Sequence, residues 1–93
     1  MRAGVRTKSG PITVIRLAND LGHPRIGIVA GRRLGSAVTR NRVKRRIRAA
    51  AAEANLHPAS DYVIVPTPLA ATVPFDELVA AIERAARPEE RDT

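Results

Sequence analysis

Between Gly35 and Arg48 the sequence reads GSAVTRNRVKRRIR, and its last nine residues hold six Lys or Arg and no acid. Guanidinium forks and ammonium groups at this density suit one chemistry above others, the neutralisation of phosphates with release of condensed counterions. If all six meet phosphates, affinity falls by roughly 10³-fold between 50 and 200 mM salt. A salt-bridged, solvated face fits poorly, because no Asp or Glu comes within a turn of these cations before Glu53. Just upstream, AGRRLG sets Arg32 and Arg33 between Gly31 and Gly35. Glycines let backbone approach a phosphate while the arginines supply charge; a flexible strand-to-helix turn explains the same residues equally well. A Walker loop is excluded, since the Gly-Lys-Ser/Thr ending is absent.

The remaining candidates for chemistry are weak. His23 and His57 each precede a proline in turn-like sequence and have no carboxylate cluster beside them, so they read as structural or exposed. Neither metal-ligand spacing nor a Ser/His/Asp arrangement is evident. Asp76, Glu77 and Glu83 read as solubilising surface. The chain by itself does not look like an enzyme.

The charge is divided along the chain. Residues 1–48 carry thirteen Lys/Arg against one acid, whereas residues 49–93 carry three against eight, within a net charge of +7. A molecule polarised in this way turns its basic side to a polyanion. Nucleic acid is the better candidate than a membrane surface, since the basic segment lacks Trp or an interfacial Leu/Phe face. With no cysteine, disulfides and thiolate metal sites are excluded. No apolar run approaches the ~20 residues of a membrane span and no secretory signal opens the chain, so a cytoplasmic protein is expected.

The elements that must position the cations follow from pattern. Residues 1–9 are polar and basic, and are expected to be poorly ordered. PITVIRLA (11–18) and RIGIVA (25–30) are β-branched runs separated by turn chemistry at NDLGHP, which predicts an antiparallel hairpin. Ser36 is a candidate helix N-cap. Val43, Ile47, Ala50 and Ala54 recur at helical spacing, so the basic segment is a helix docked by one narrow stripe, with Arg42, Lys44, Arg45, Arg46 and Arg48 spread over the rest and Arg40 at the stripe's edge. Pro58 ends it. DYVIVP (61–66) reads as a further strand, TPLAATVP as a loop, and residues 75–87 as a second amphipathic helix with Phe75, Leu78, Val79, Ile82 and Ala86 inward. The order β-β-α-β-α describes an α+β two-layer sandwich, one domain over residues 1–87 with a polar tail at 88–93.

The string RIGIVAGRRLGSAVTRNRVKRRIR resembles the signature of the bacterial ribonuclease P protein subunit. The match runs through Arg33, Gly35, Ala37, Val38, Arg40, Asn41, Arg42, Lys44, Arg45 and Arg48, and DYVIVPTPLAA with the last helix resembles the family's final strand and helix. The resemblance implies a ribosomal-protein-S5-domain-2-like sandwich with a left-handed crossover around the basic helix. It implies a non-catalytic partner of a catalytic RNA that removes the 5′ leader from precursor tRNA. The Mg²⁺ ions of that holoenzyme are held by RNA, and the protein alone has no cofactor and no obligate protein partner.

Arg32, Arg33, Gly35, Arg40, Asn41, Arg42, Lys44, Arg45 and Arg48 are then the expected RNA-binding residues, and Tyr62 is the candidate for a leader-binding cleft. The family's usual N-terminal helix, one wall of that cleft, is expected to be missing. Ala49 stands where a Glu is common, and Arg33 where a Lys is common. A general basic RNA-binding or ribosome-associated protein of the same fold is the alternative, and a protein nuclease is disfavoured.

Overall fold

The computed structural model describes residues 5–19, 22–56 and 60–86. Four strands, β1 (Val5–Ser9), β2 (Ile12–Ala18), β3 (Arg25–Ile28) and β4 (Ser60–Pro66), form one sheet in the order β1-β2-β4-β3. Two helices, α1 (Ala37–Glu53) and α2 (Phe75–Ala86), pack on one face of it, α2 over β1 and β2 and α1 beside β3. The mixed α+β class expected from the sequence holds.

Two expectations about the sheet do not. Residues 5–9 are a strand rather than poorly ordered: Gly10, with φ of 56°, and Pro11 turn the chain so that Ser9 pairs with Ile12 and Val5 with Arg16. Arg6 and Lys8 face away from the helices, and their charge hides the strand from a hydrophobicity reading. Nor do residues 11–18 and 25–30 form a hairpin. β4 lies between them, antiparallel to β2 and parallel to β3. The reason is apolarity on both faces. Tyr62 and Ile64 point to the helices while Val63 and Val65 point away, so β4 belongs at the centre, whereas short β3 with Gly27 suits an edge.

Asp61 shows how the connection is held. It sits at the start of β4, between the end of β2 and the start of β3. Its carboxylate accepts from Asn19 Nδ2 at 2.6 Å and from Arg25 Nε and Nη2 at 3.0 and 2.7 Å. At the other end of β4, the Thr67 N–H and hydroxyl both donate to the Pro11 carbonyl at 2.9 Å.

The core lies between sheet and helices: Ile12, Val14, Tyr62 and Ile64 from the sheet, Val43, Ile47, Ala50 and Ala51 from α1, Leu78, Ala81, Ile82, Ala85 and Ala86 from α2. The predicted stripe of α1 is therefore correct at three positions; Ala54 is only half-buried and forms the helix's C-cap. Phe75 and Val79 pack against the core's edge. The segment expected as a loop before α2 contains a 3₁₀ turn, Pro68–Ala71, with Ala70 buried. The opposite sheet face is uncovered, with Ile15, Leu17, Val29, Val63 and Val65 flanked by Arg6, Lys8 and Arg25.

Candidate nucleic-acid interface

The basic helix begins at a well-defined cap. The Ser36 hydroxyl accepts the Thr39 N–H at 3.2 Å, which satisfies one of the donors that a helix start leaves open, and the Ser36 carbonyl accepts the Arg40 N–H at 2.9 Å as the first intrahelical bond. Gly35 precedes it with φ of 107° and ψ of −144°, a conformation that L side chains rarely adopt. The Arg40 guanidinium folds back onto the Gly35 carbonyl at 2.8 Å, so the first arginine of the helix braces the turn while remaining half-exposed.

The loop AGRRLG is neither an open phosphate cradle nor a slack connector. Arg32–Leu34 form a 3₁₀ turn closed by Leu34 N–H to Gly31 carbonyl at 3.1 Å and Gly35 N–H to Arg32 carbonyl at 3.0 Å. Leu34 anchors it in the core, and Arg32 and Arg33 are held out in solvent. Gly31 has φ of −88°, which any residue adopts; of the two glycines, only Gly35 is required by the backbone.

Along α1, Asn41, Arg42, Arg45 and Arg48 are exposed and Arg40 and Lys44 half-buried. The structure thus brings Arg32, Arg33, Arg40, Asn41, Arg42, Lys44, Arg45 and Arg48 onto one helix and the turn that leads into it. Among the described residues no carboxylate pairs with any cation of α1; the one ion pair is Arg25–Asp61, at 2.7 Å. There the Arg25 guanidinium first, and then Asn19, hold the Asp61 carboxyl at about 2, below its ordinary 3.8, and Asp61 in turn raises Arg25.

Arg46 departs from the helical-wheel reading. It points off the side of α1 and donates to the Ala70 carbonyl at 2.6 Å and, through its other terminal nitrogen, to the Val73 carbonyl. It therefore ties the basic helix to the segment before α2 and is not part of the outward row. Glu83 also departs from its reading as solubilising surface: its carboxylate accepts the Asn55 N–H at 2.9 Å, just beyond the end of α1. Both partners are backbone groups more than twenty residues away in sequence, so no local pattern marks them.

Tyr62 is corrected as well. With 1% exposure it is the largest fully buried side chain, on the helix-covered face of β4. Its ring is core and is not presented to a base. His23 is exposed, and His57 lies outside the described residues. Among the described residues no three His, Asp or Glu side chains stand together as a metal site, and no helix is long and apolar enough to cross a membrane.

A capped helix with an unpaired cationic face, laid across an α+β sandwich, is the setting in which the sequence comparisons are decisive. The family model described as Ribonuclease P matches residues 1–88. The chain belongs to the ribonuclease P protein family. The Ribonuclease P protein component of Kocuria rhizophila is 42% identical over 82 residues, covering 84% of this chain and 71% of that protein. That of Brucella suis is 37% identical over 65 residues, covering 67% of this chain and 46% of its own length. The solved structure of the RNase P protein from Thermotoga maritima superposes with a TM-score of 0.81 over 95% of this chain and 86% of that one. At 24% identity that likeness speaks for the fold.

Proposed function

We propose that this chain is the protein subunit of ribonuclease P and assists a catalytic RNA in removing the 5′ leader of precursor tRNA. The observation that carries the reading is the row of Arg32, Arg33, Arg42, Arg45 and Arg48, exposed and without carboxylate partners among the described residues, in a chain that belongs to this family. Its guanidinium groups take phosphates bidentately, Lys44 adds a point charge, and Asn41 offers an amide for hydrogen bonding. Charge placed this way screens repulsion between two RNAs as they approach. Gly35 acts indirectly, by setting the turn that presents Arg32 and Arg33.

In this reading the protein is non-catalytic and cytoplasmic, and the Mg²⁺ ions belong to the RNA. Leader contact falls to the uncovered sheet face, with its apolar middle and its Arg6, Lys8 and Arg25 flank. The accompanying fold reading is the S5-domain-2-like sandwich: the parallel pairing of β3 with β4 requires a β3–α1–β4 crossover, and its left hand is what the family resemblance implies.

The test is cleavage of precursor tRNA by the ribonuclease P RNA at low Mg²⁺, with and without the chain. Cleavage at the mature 5′ end that depends on the protein is the expected result. Tight, unselective binding of many RNAs without stimulation would instead favour the general RNA-binding protein of the same fold. RNA cleavage with no RNA partner would favour a nuclease.

A further inference from the structure

Beside the outward row, on the flank of α1 that faces β3, lies an apolar recess of about 520 Å³ lined by Pro24, Ile26, Arg48, Ala51, Ala52, Ala54 and Leu56. Arg48 is its only charged liner, and among the described residues it meets no acid. Small residues make the space: Ala51 and Ala52 of α1 and its C-cap Ala54 stand where larger side chains would close it against Ile26. The volume falls in the range of small-molecule pockets, and it opens beside the cations that face phosphate.

Single-stranded nucleic acid is ordinarily held by stacking its bases on aromatic rings. This chain has two aromatic residues, Tyr62 and Phe75; the first is fully buried and the second packs against the core. Neither offers a platform. An apolar wall with a guanidinium at its rim is the other surface on which a base is accommodated, since arginine's planar group stacks on bases as well as binding phosphate.

We propose that this recess receives one unpaired nucleobase of the bound RNA, seated against Ile26, Ala52 and Leu56, with Arg48 on that base or its flanking phosphate. The proposal rests on the RNA-binding reading above and deepens it. The recess adds a preference for RNA carrying an extruded base to an interface that otherwise reads only phosphates. With apolar liners and one guanidinium, it selects for the presence of a base more than for its identity.

The experiment uses the full chain and three RNA hairpins: one fully paired, one with a single bulged adenosine, and one with an abasic ribose at the bulge. Dissociation constants come from fluorescence anisotropy at one fixed salt concentration. The adenosine bulge is expected to bind about tenfold tighter than the abasic bulge. Ala52→Leu, which fills the recess without changing charge or helix propensity much, is expected to erase that difference and leave the paired hairpin's affinity as it was. Equal binding of adenosine and abasic bulges by the unsubstituted chain overturns the proposal, as does a preference that survives Ala52→Leu. A dimer in sedimentation that Ala52→Leu dissolves assigns the recess to a second copy of the chain and overturns it too. Failure to bind any of the hairpins, even at low salt, overturns the RNA reading itself and this proposal with it, a result distinct from a lost preference alone.

Discussion

The two helices share one face of the sheet and are built on opposite priorities. α2 places Asp76 and Glu77 in its first turn and Arg84 in its last, complementing the helix dipole, and it buries a broad apolar face. α1 has no acid in its first turn and no base in its last. Its cations run from Arg40 to Arg48 and stop short of the last turn, Arg40 and Arg42 near the end where the dipole opposes them, and its mean hydropathy is far lower. α2 is a helix arranged for the fold. α1 is held by a narrow stripe, the Ser36 cap, Arg46 and Glu83, and the rest of its surface is left exposed or half-buried with its cations outward.

The comparison breaks first at the core of α2. Leu78→Ala is expected to cost about 2–5 kcal/mol in urea unfolding, while RNA affinity per folded molecule stays unchanged; a matching loss of affinity in the folded fraction would mean that α2 belongs to the interface. The sharper test sits within α1. Arg46→Ala strands the Ala70 and Val73 carbonyls and is expected to destabilise by about 1–3 kcal/mol without altering the salt dependence of RNA binding. Arg42→Ala should do the converse, with stability within about 0.5 kcal/mol of the parent and a log–log salt slope shallower by a little under one. If both substitutions flatten the slope alike, Arg46 belongs with the outward row after all.

Gly35→Ala tests the junction. The added Cβ meets nothing closer than Thr39 at 3.8 Å, so the cost is backbone strain alone, about 1–3 kcal/mol. The same change at Gly31 should be near neutral, and thermal melts of the two variants decide it. The smallest effect is expected at Asp61. Its folded-state carboxyl lies at about 2 against an ordinary 3.8, so its contribution is present above pH 3.8 and is lost as pH falls through about 2. Asp61→Asn should therefore lower stability slightly at neutral pH and remove part of the acid-side slope. Urea curves at neutral pH and near pH 2 that differ between parent and variant by a constant amount would show the ion pair to be inert.

What was legible in the sequence was whatever short-range pattern encodes. The Val43–Ile47–Ala50 stripe, the Ser36 cap, the strand at 61–66 and the start of α2 all follow from local spacing and capping chemistry, and the dense motif from Arg33 to Arg48 carried the family. Long-range decisions were not legible. β1 was concealed because Arg6 and Lys8 alternate with Thr7 and small residues. The sheet order depends on β4 being apolar on both faces, a competition among strands that no single run reveals. Tyr62 showed its type but not which face of β4 it occupies, and that depends on the pairing of Tyr62 with Arg16 and Ile26.

The position of β4 has one more consequence. The strand made last is the one in the middle, and every hydrogen bond that joins β2 to β3 through the sheet passes through it. A chain cut after α1 holds a β1–β2 ribbon and a separate β3 with no shared ladder, so no such fragment can carry the basic helix in its native pose. The cationic surface is therefore a late property of the chain: during synthesis its native pose needs β4 and also the segment through Glu83 that holds α1 in place.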